Sequence, residues 1–175
     1  TTSLVLVSEL KLENFRCYEF IELPINKGIT LVHGKNGSGK SSIIEGIYFA
    51  LSGKSFRTSD LNILIRTKTN LTQSFIKFQE GYGIKITKKT NQKCKILQIK
   101  DKESLTYAKL VSNYPTCLVE NKEFFFTTST PDDKRSFLNK TLFYVEQNAN
   151  KSLKDLKKII YQRSACLKNN DLSQI

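Results

Sequence analysis

Eight consecutive residues, Gly34-Lys35-Asn36-Gly37-Ser38-Gly39-Lys40-Ser41, constrain this chain more than any other stretch. They satisfy G-x-x-x-x-G-K-[ST], the phosphate-binding loop, at every required position. The flanks agree. Ile29-Thr30-Leu31-Val32 reads as a short, mostly apolar strand suited to a sheet interior. Ile43, Ile44, Ile47, Tyr48 and Leu51 recur at helical spacing across Ser41–Leu51, and Gly53 is placed to cap that helix. Strand, loop and helix in this order define a physical site. Glycines let backbone N–H groups close around phosphate oxygens in conformations that a side chain would block. The helix presents its positive end to the same anion. Lys40 is expected to reach the β- and γ-phosphates and the Ser41 hydroxyl to ligate Mg²⁺. Gly34 through Ser41, with the adjoining Ser42, are therefore the candidate nucleotide-binding residues.

The nucleotide itself is narrowed by what accompanies the loop. Guanine-specific relatives of this motif use Asn-Lys-x-Asp for the base. Asn121-Lys122-Glu123-Phe124 and Asn139-Lys140-Thr141-Leu142 both lack the aspartate, and no D-x-x-G occurs, so ATP is favoured. Hydrolysis needs a water-polarising carboxylate and a metal-holding aspartate after four apolar residues at a strand end. The nearest imitation, Leu142-Phe143-Tyr144-Val145-Glu146, continues a helical pattern and is assigned to packing. Leu51-Ser52-Gly53-Lys54 imitates an ABC-type signature but caps the loop helix. His33 ends the strand before the loop and faces either the nucleotide or the packing around it. Arg57 and Arg66 follow the helix, each a phosphate ligand or plain surface charge.

Around the loop, Val5–Leu12 and Phe20–Leu23 read as two antiparallel strands joined by a turn near Arg16–Tyr18. Strand-like stretches at Ser74–Phe78, Gly83–Thr87 and Lys93–Ile99, separated by Gly81-Tyr82-Gly83 and Thr90-Asn91-Gln92, suggest an antiparallel meander. Leu105–Ser112 reads as a short helix and Thr116–Glu120 as a short strand. Thr130-Pro131-Asp132-Asp133 supplies a cap, a proline at the first helical position and two first-turn carboxylates. Phe137, Leu138, Thr141, Leu142 and Val145 mark that helix's expected buried face. Lys151–Lys168 forms a second amphipathic helix with a lysine-rich side, read as a solvated face or a DNA contact.

Composition adds limits. With 175 residues, 39% hydrophobic and 25% charged, the chain suits one ordinary core plus an appended arm. The apolar runs are too short to span a bilayer, and no leader pattern of basic then apolar residues opens the chain. Four scattered cysteines without a C-x-x-C pair fit a cytoplasmic location and make metal binding by them improbable. The formal net charge of +12 suits polyanionic partners, since each neutralised phosphate releases counterions, and equally suits a lysine-solvated surface.

Three spaced segments carry a family resemblance. Leu12-Glu13-Asn14-Phe15-Arg16-Cys17-Tyr18 ahead of the loop resembles the ABC/SMC-type ATPase heads. Glu45–Leu51 followed by Gly53-Lys54-Ser55-Phe56-Arg57-Thr58 looks like the RecF recombination mediators, and Thr130–Asn139 is similar to the helix after that family's first lobe. The resemblance implies an α/β P-loop head. Lobe I, with an antiparallel sheet, would span residues 1–129, and the first helices of a helical lobe II would span 130–175. It implies binding to DNA at single-strand/double-strand junctions, ATP-dependent homodimerisation, and RecO- and RecR-like partners in recombinational repair and replication-gap processing. Arg16 would approach the phosphates, Arg57 would serve as an arginine supplied in cis, and Glu123 would be the metal-sensing residue. The stretch Glu120-Asn121-Lys122-Glu123 departs from the family's usual Ser-Pro-Glu-Asp. The expectation is the N-terminal part of such a protein, lacking the Walker B and signature half and not hydrolysing ATP efficiently alone. Rival expectations are another SMC-like repair head, and a P-loop remnant that serves only as an interaction protein. A small nucleotide kinase is disfavoured, because a meander rather than repeated βα units follows the loop.

Overall fold

Period-two alternation organises the first part of the chain. In the computed structural model, which describes residues 5–99, 102–119, 130–145 and 149–168, Leu10 and Leu12 point inward from β1 (Val7–Phe15), and Glu9, Lys11 and Glu13 point outward. β1 pairs antiparallel with β2 (Tyr18–Pro24), placing Leu10 opposite Leu23 and Leu12 opposite Ile21. On its other side β1 pairs with β3 (Leu71–Phe78), which continues through β4 (Gly83–Lys89) and β5 (Lys95–Gln98) to β6 (Glu103–Ser104). All ladders are antiparallel, and the sheet order is β2-β1-β3-β4-β5-β6. The expected meander is present, with Ile76, Ile84 and Ile86 wholly buried on one face.

Helix α1 (Lys40–Ser52) lies on that face and buries Ile43, Phe49 and Ala50. Close approach needs Gly46, where a Cβ would sit 2.6 Å from Leu12 Cδ2. Ser74 on β3 donates a hydrogen bond to the Gly46 carbonyl at 2.9 Å, tying helix to sheet. The helix ends as its sequence requires: Gly53 adopts φ 66° and returns its N–H to Phe49 at 2.8 Å. A 3-10 turn, Leu61–Leu64, starts at Asp60, whose side chain accepts from Asn62 N. Helix α2 (Tyr107–Asn113) is capped by Thr106 and stacks Tyr114 on Phe78, with ring centroids 5.0 Å apart.

Two expected strands are absent. Residues 29–32 adopt no regular secondary structure and pair with nothing in the described residues; Ile29 is 97% and Leu31 80% exposed, and only Val32 packs against the core. An apolar tetrapeptide becomes a strand only when a neighbour completes its ladder. Residues 116–119 likewise form no strand, with Val119 90% exposed, and Glu120 lies outside the described residues.

The chain divides into two units, Thr1–Leu118 and Val119–Ile175. In the second, α3 (Pro131–Val145) begins at the expected Thr130-Pro131 start and α4 (Ala149–Lys168) follows. Phe137, Leu138 and Leu142, expected as a buried face, are about half exposed, because among the described residues of this unit only one other helix stands beside them. Among the described residues no helix is long and apolar enough to cross a membrane.

Candidate functional site

The loop begins at Gly34 and reaches α1 through Gly39, whose φ of 91° is left-handed and which stands at the helix N-cap. No L side chain fits there. A Cβ on Gly39 would run into the Tyr18 hydroxyl and lie 2.8 Å from its Cζ and 3.0 Å from Cys17 Sγ. Tyr18 in turn donates to the Ser38 carbonyl at 3.3 Å, so the β1–β2 turn braces the loop from outside. Burial raises the Tyr18 phenol above its ordinary value, reinforced by Cys17, which keeps it a neutral donor. Lys40 folds over the loop, its ammonium donating to the Gly34 carbonyl at 2.8 Å and the Lys35 carbonyl at 2.7 Å.

The loop opens onto a cleft of about 620 Å³. Of the residues expected at the site, Arg16, Asn36, Gly37, Gly39, Lys40, Ser41, Ser42 and Arg57 line it. Gly34, Lys35 and Ser38 shape the loop without lining the cleft. The sequence reading did not assign Cys17, Ile63, Ile65 and Thr67 to the cleft; Cys17 comes from the β1–β2 turn, and the other three line it because the segment after α1 returns beside β1, where Phe15 bridges to Ile65. His33 is exposed and outside the lining. Arg66 turns away to Glu19, at 3.4 Å. Glu123 lies outside the described residues.

The sequence reading missed Glu45. Its side chain is wholly buried, and its carboxylate accepts from Arg16 Nε at 2.9 Å and Arg16 Nη2 at 2.7 Å, a bidentate pair. Ser55 Oγ donates to the same group at 2.5 Å, and Arg57 Nη1 stands 3.7 Å from it. Arg16 itself sits at φ 54°, with its N–H bonded to the Leu64 carbonyl at 2.8 Å. Positions 42, 45, 46 and 49 share a buried face of α1, where an acid demands a cation, but that face carries Ser, Glu, Gly and Phe rather than the apolar run at 43, 44, 47, 48 and 51, so nothing in the sequence marked it.

A glycine-shaped loop, a helix N-terminus and three cations around one cleft define the class: a P-loop ATPase head, an ATP-binding α/β fold with an antiparallel sheet. The chain belongs to the AAA domain family, which it matches over residues 9–174. It is similar along most of its length to DNA replication and repair protein RecF. It is 27% identical to that of Hahella chejuensis, covering 96% of this chain and 46% of the relative. It is 29% identical to that of Francisella tularensis subsp. mediasiatica, covering 94% and 47%. The chain thus spans under half the length of the curated relatives it matches. Among solved structures, the recombination mediator protein RecF bound to ATP, from the RecFOR pathway, superposes with a TM-score of 0.80 at 20% identity, covering 94% of this chain and 45% of that one. A structure from work on ATP-driven dimerisation and DNA-stimulated activation of SMC ATPases gives a TM-score of 0.60 at 19% identity, covering 78% and 99%. Both likenesses are of fold, and both fit the head architecture expected from the three spaced segments.

Proposed function

We propose that this chain is the nucleotide-binding part of a RecF-like ATPase of recombinational repair and replication-gap processing. The observation that carries the reading is the braced loop opening on a cleft that holds Lys40, Arg16 and Arg57 together. Backbone N–H groups of Gly37, Gly39, Lys40 and Ser41 and the α1 N-terminus bind the phosphates, and Lys40 exchanges its carbonyl partners for phosphate oxygens. Arg57 supplies positive charge in cis to the outermost phosphate. Ser41 lines the cleft and its hydroxyl suits a hard, oxygen-preferring cation, so it would hold Mg²⁺ beside the nucleotide. When bound, the ion neutralises charge on the phosphates.

Efficient hydrolysis is not assigned to this chain alone. No Asp or Glu is among the described residues that line the cleft, and the nearby Glu45 is committed to Arg16 and Ser55. DNA at single-strand/double-strand junctions, ATP-dependent pairing of two heads, and RecO- and RecR-like mediators are the partners proposed for the whole protein. The helices from Thr130 onward are proposed as the beginning of its second lobe.

The test is calorimetry of Mg-ATP with the purified chain beside Lys40→Ala. Binding that Lys40→Ala abolishes supports the reading. A folded chain that binds no nucleotide refutes it. Affinity for a junction DNA, measured with and without ATP across a salt series, then tests the DNA step through the slope that counterion release imposes.

A further inference from the structure

Three cations line the phosphate cleft, and they are not equally available. Lys40 rests on two neutral carbonyls. Arg16 is locked by its bidentate bond to Glu45 and is only 17% exposed. Arg57 is 47% exposed and stands 3.7 Å from the same carboxylate, beyond hydrogen-bond length, so its guanidinium fork remains largely uncommitted. Its backbone, however, is fixed. Ser55 Oγ accepts from Arg57 N at 3.0 Å and Thr58 N at 3.2 Å while donating to Glu45 at 2.5 Å. The turn that carries Arg57 is therefore hung from the buried carboxylate through one hydroxyl.

We propose that Glu45 is a positioning residue for phosphate discrimination: through Ser55 it sets the turn bearing Arg57 so that this arginine meets the third phosphate of a nucleoside triphosphate. The loop amides and Lys40 provide attraction common to di- and triphosphates. The extra charge of the triphosphate needs a further cation, and Arg57 is the cleft-lining cation with donors to spare. Glu45 touches no ligand itself. A negative charge so close to an anion site is tolerated because it is wholly buried and spent on its own donors.

This inference rests on the phosphate-site reading above. It is tested by measuring dissociation constants for Mg-ATP and Mg-ADP with the wild-type chain, Arg57→Ala, Glu45→Gln and the double variant. Each single variant is expected to weaken Mg-ATP roughly tenfold, the scale of one lost charge-assisted hydrogen bond, while Mg-ADP changes less than about threefold. The double variant is expected to be no worse than either single one, because both act through Arg57. Glu45→Gln that weakens both nucleotides alike, tightens both, leaves both unchanged, or adds in full to Arg57→Ala overturns the proposal. If Glu45→Gln fails to fold, Ser55→Ala, which cuts only the link to the turn, carries the same expectation and is overturned by an unchanged ATP-to-ADP ratio. A wild-type chain that binds neither nucleotide refutes the phosphate-site reading itself.

Discussion

Arg16→Ala should cost more stability than any exposed charge in this chain. The variant removes both bonds, at 2.9 and 2.7 Å, from a carboxylate with no exposed surface. What remains for Glu45 is the Ser55 hydroxyl at 2.5 Å and the Arg57 guanidinium at 3.7 Å. Removing one partner of a buried pair typically costs about 3–5 kcal/mol, and the surviving donors place this case near 3 kcal/mol. The left-handed backbone at position 16 adds nothing, since alanine and arginine share its strain. In urea this corresponds to a midpoint lowered by about 1–3 M, given a denaturant slope of about 1–3 kcal/mol/M for small domains. The companion variant is Arg16→Ala with Glu45→Leu, which deletes the stranded charge as well. It should recover about half of the loss, because an apolar side chain of similar volume needs no cation. An Arg16→Ala loss under about 1 kcal/mol, the range of a surface pair, would refute the argument. So would a double variant that loses the sum of the two single ones.

Two further outcomes follow from the same geometry. Cys17 is exposed and lines the phosphate cleft, so Mg-ATP should slow its alkylation while leaving the other exposed thiol, Cys117, unaffected; peptide mass spectrometry reads both, and equal rates with and without nucleotide would contradict the site. Burial first, then a hydrogen bond with Tyr82, raises the Tyr114 phenol above its ordinary value. A raised folded value means stability is intact below the unfolded phenol's pKa of about 10 and is lost as pH rises beyond it. Tyr114→Phe should therefore flatten the fall of the urea midpoint above that pH.

Local signals made much of the first unit legible. The loop motif, the helix that follows it, the left-handed Gly53 and the strands β3 and β4 each depend on residues close in sequence, and each appears where expected, although α1 buries Gly46 and Phe49 and leaves Ile44 exposed. Pairing was less legible because it depends on distant partners. Residues 29–32 carry a strand's composition, yet a ladder needs a neighbour that composition does not name. Lys88 shows the same limit. It occupies an inward position after Ile84 and Ile86, and its ammonium is satisfied by Asn62 Oδ1 at 2.8 Å and by the Lys89 and Gln92 carbonyls at 2.7 Å each. The site was half readable for the same reason. The loop's glycines announce themselves, but the Glu45 cluster joins residues 16, 45, 55 and 57, and only the fold brings them together.

The brace on the loop comes from outside the motif, and this locates the weakest point of the cradle. Glycines permit the loop's conformation but do not hold it, since their freedom also favours every alternative. What holds it is the β1–β2 turn, through the Tyr18 ring packed where a Gly39 side chain would stand and its hydroxyl on the Ser38 carbonyl. A preformed cradle binds more tightly than one that must be ordered on binding, because the ordering cost has already been met in folding. Tyr18→Ala should then weaken Mg-ATP and Mg-ADP alike by roughly tenfold, the scale of ordering one loop residue at about 1–2 kcal/mol. Tyr18→Phe, which keeps the ring and loses the 3.3 Å hydrogen bond, should lie between the two. Equal loss for both nucleotides separates this brace from the Arg57 arm, whose loss falls on the triphosphate. A Tyr18→Ala chain that binds as the wild type does would mean that the loop holds its shape on its own, and that the turn beside it is packing alone.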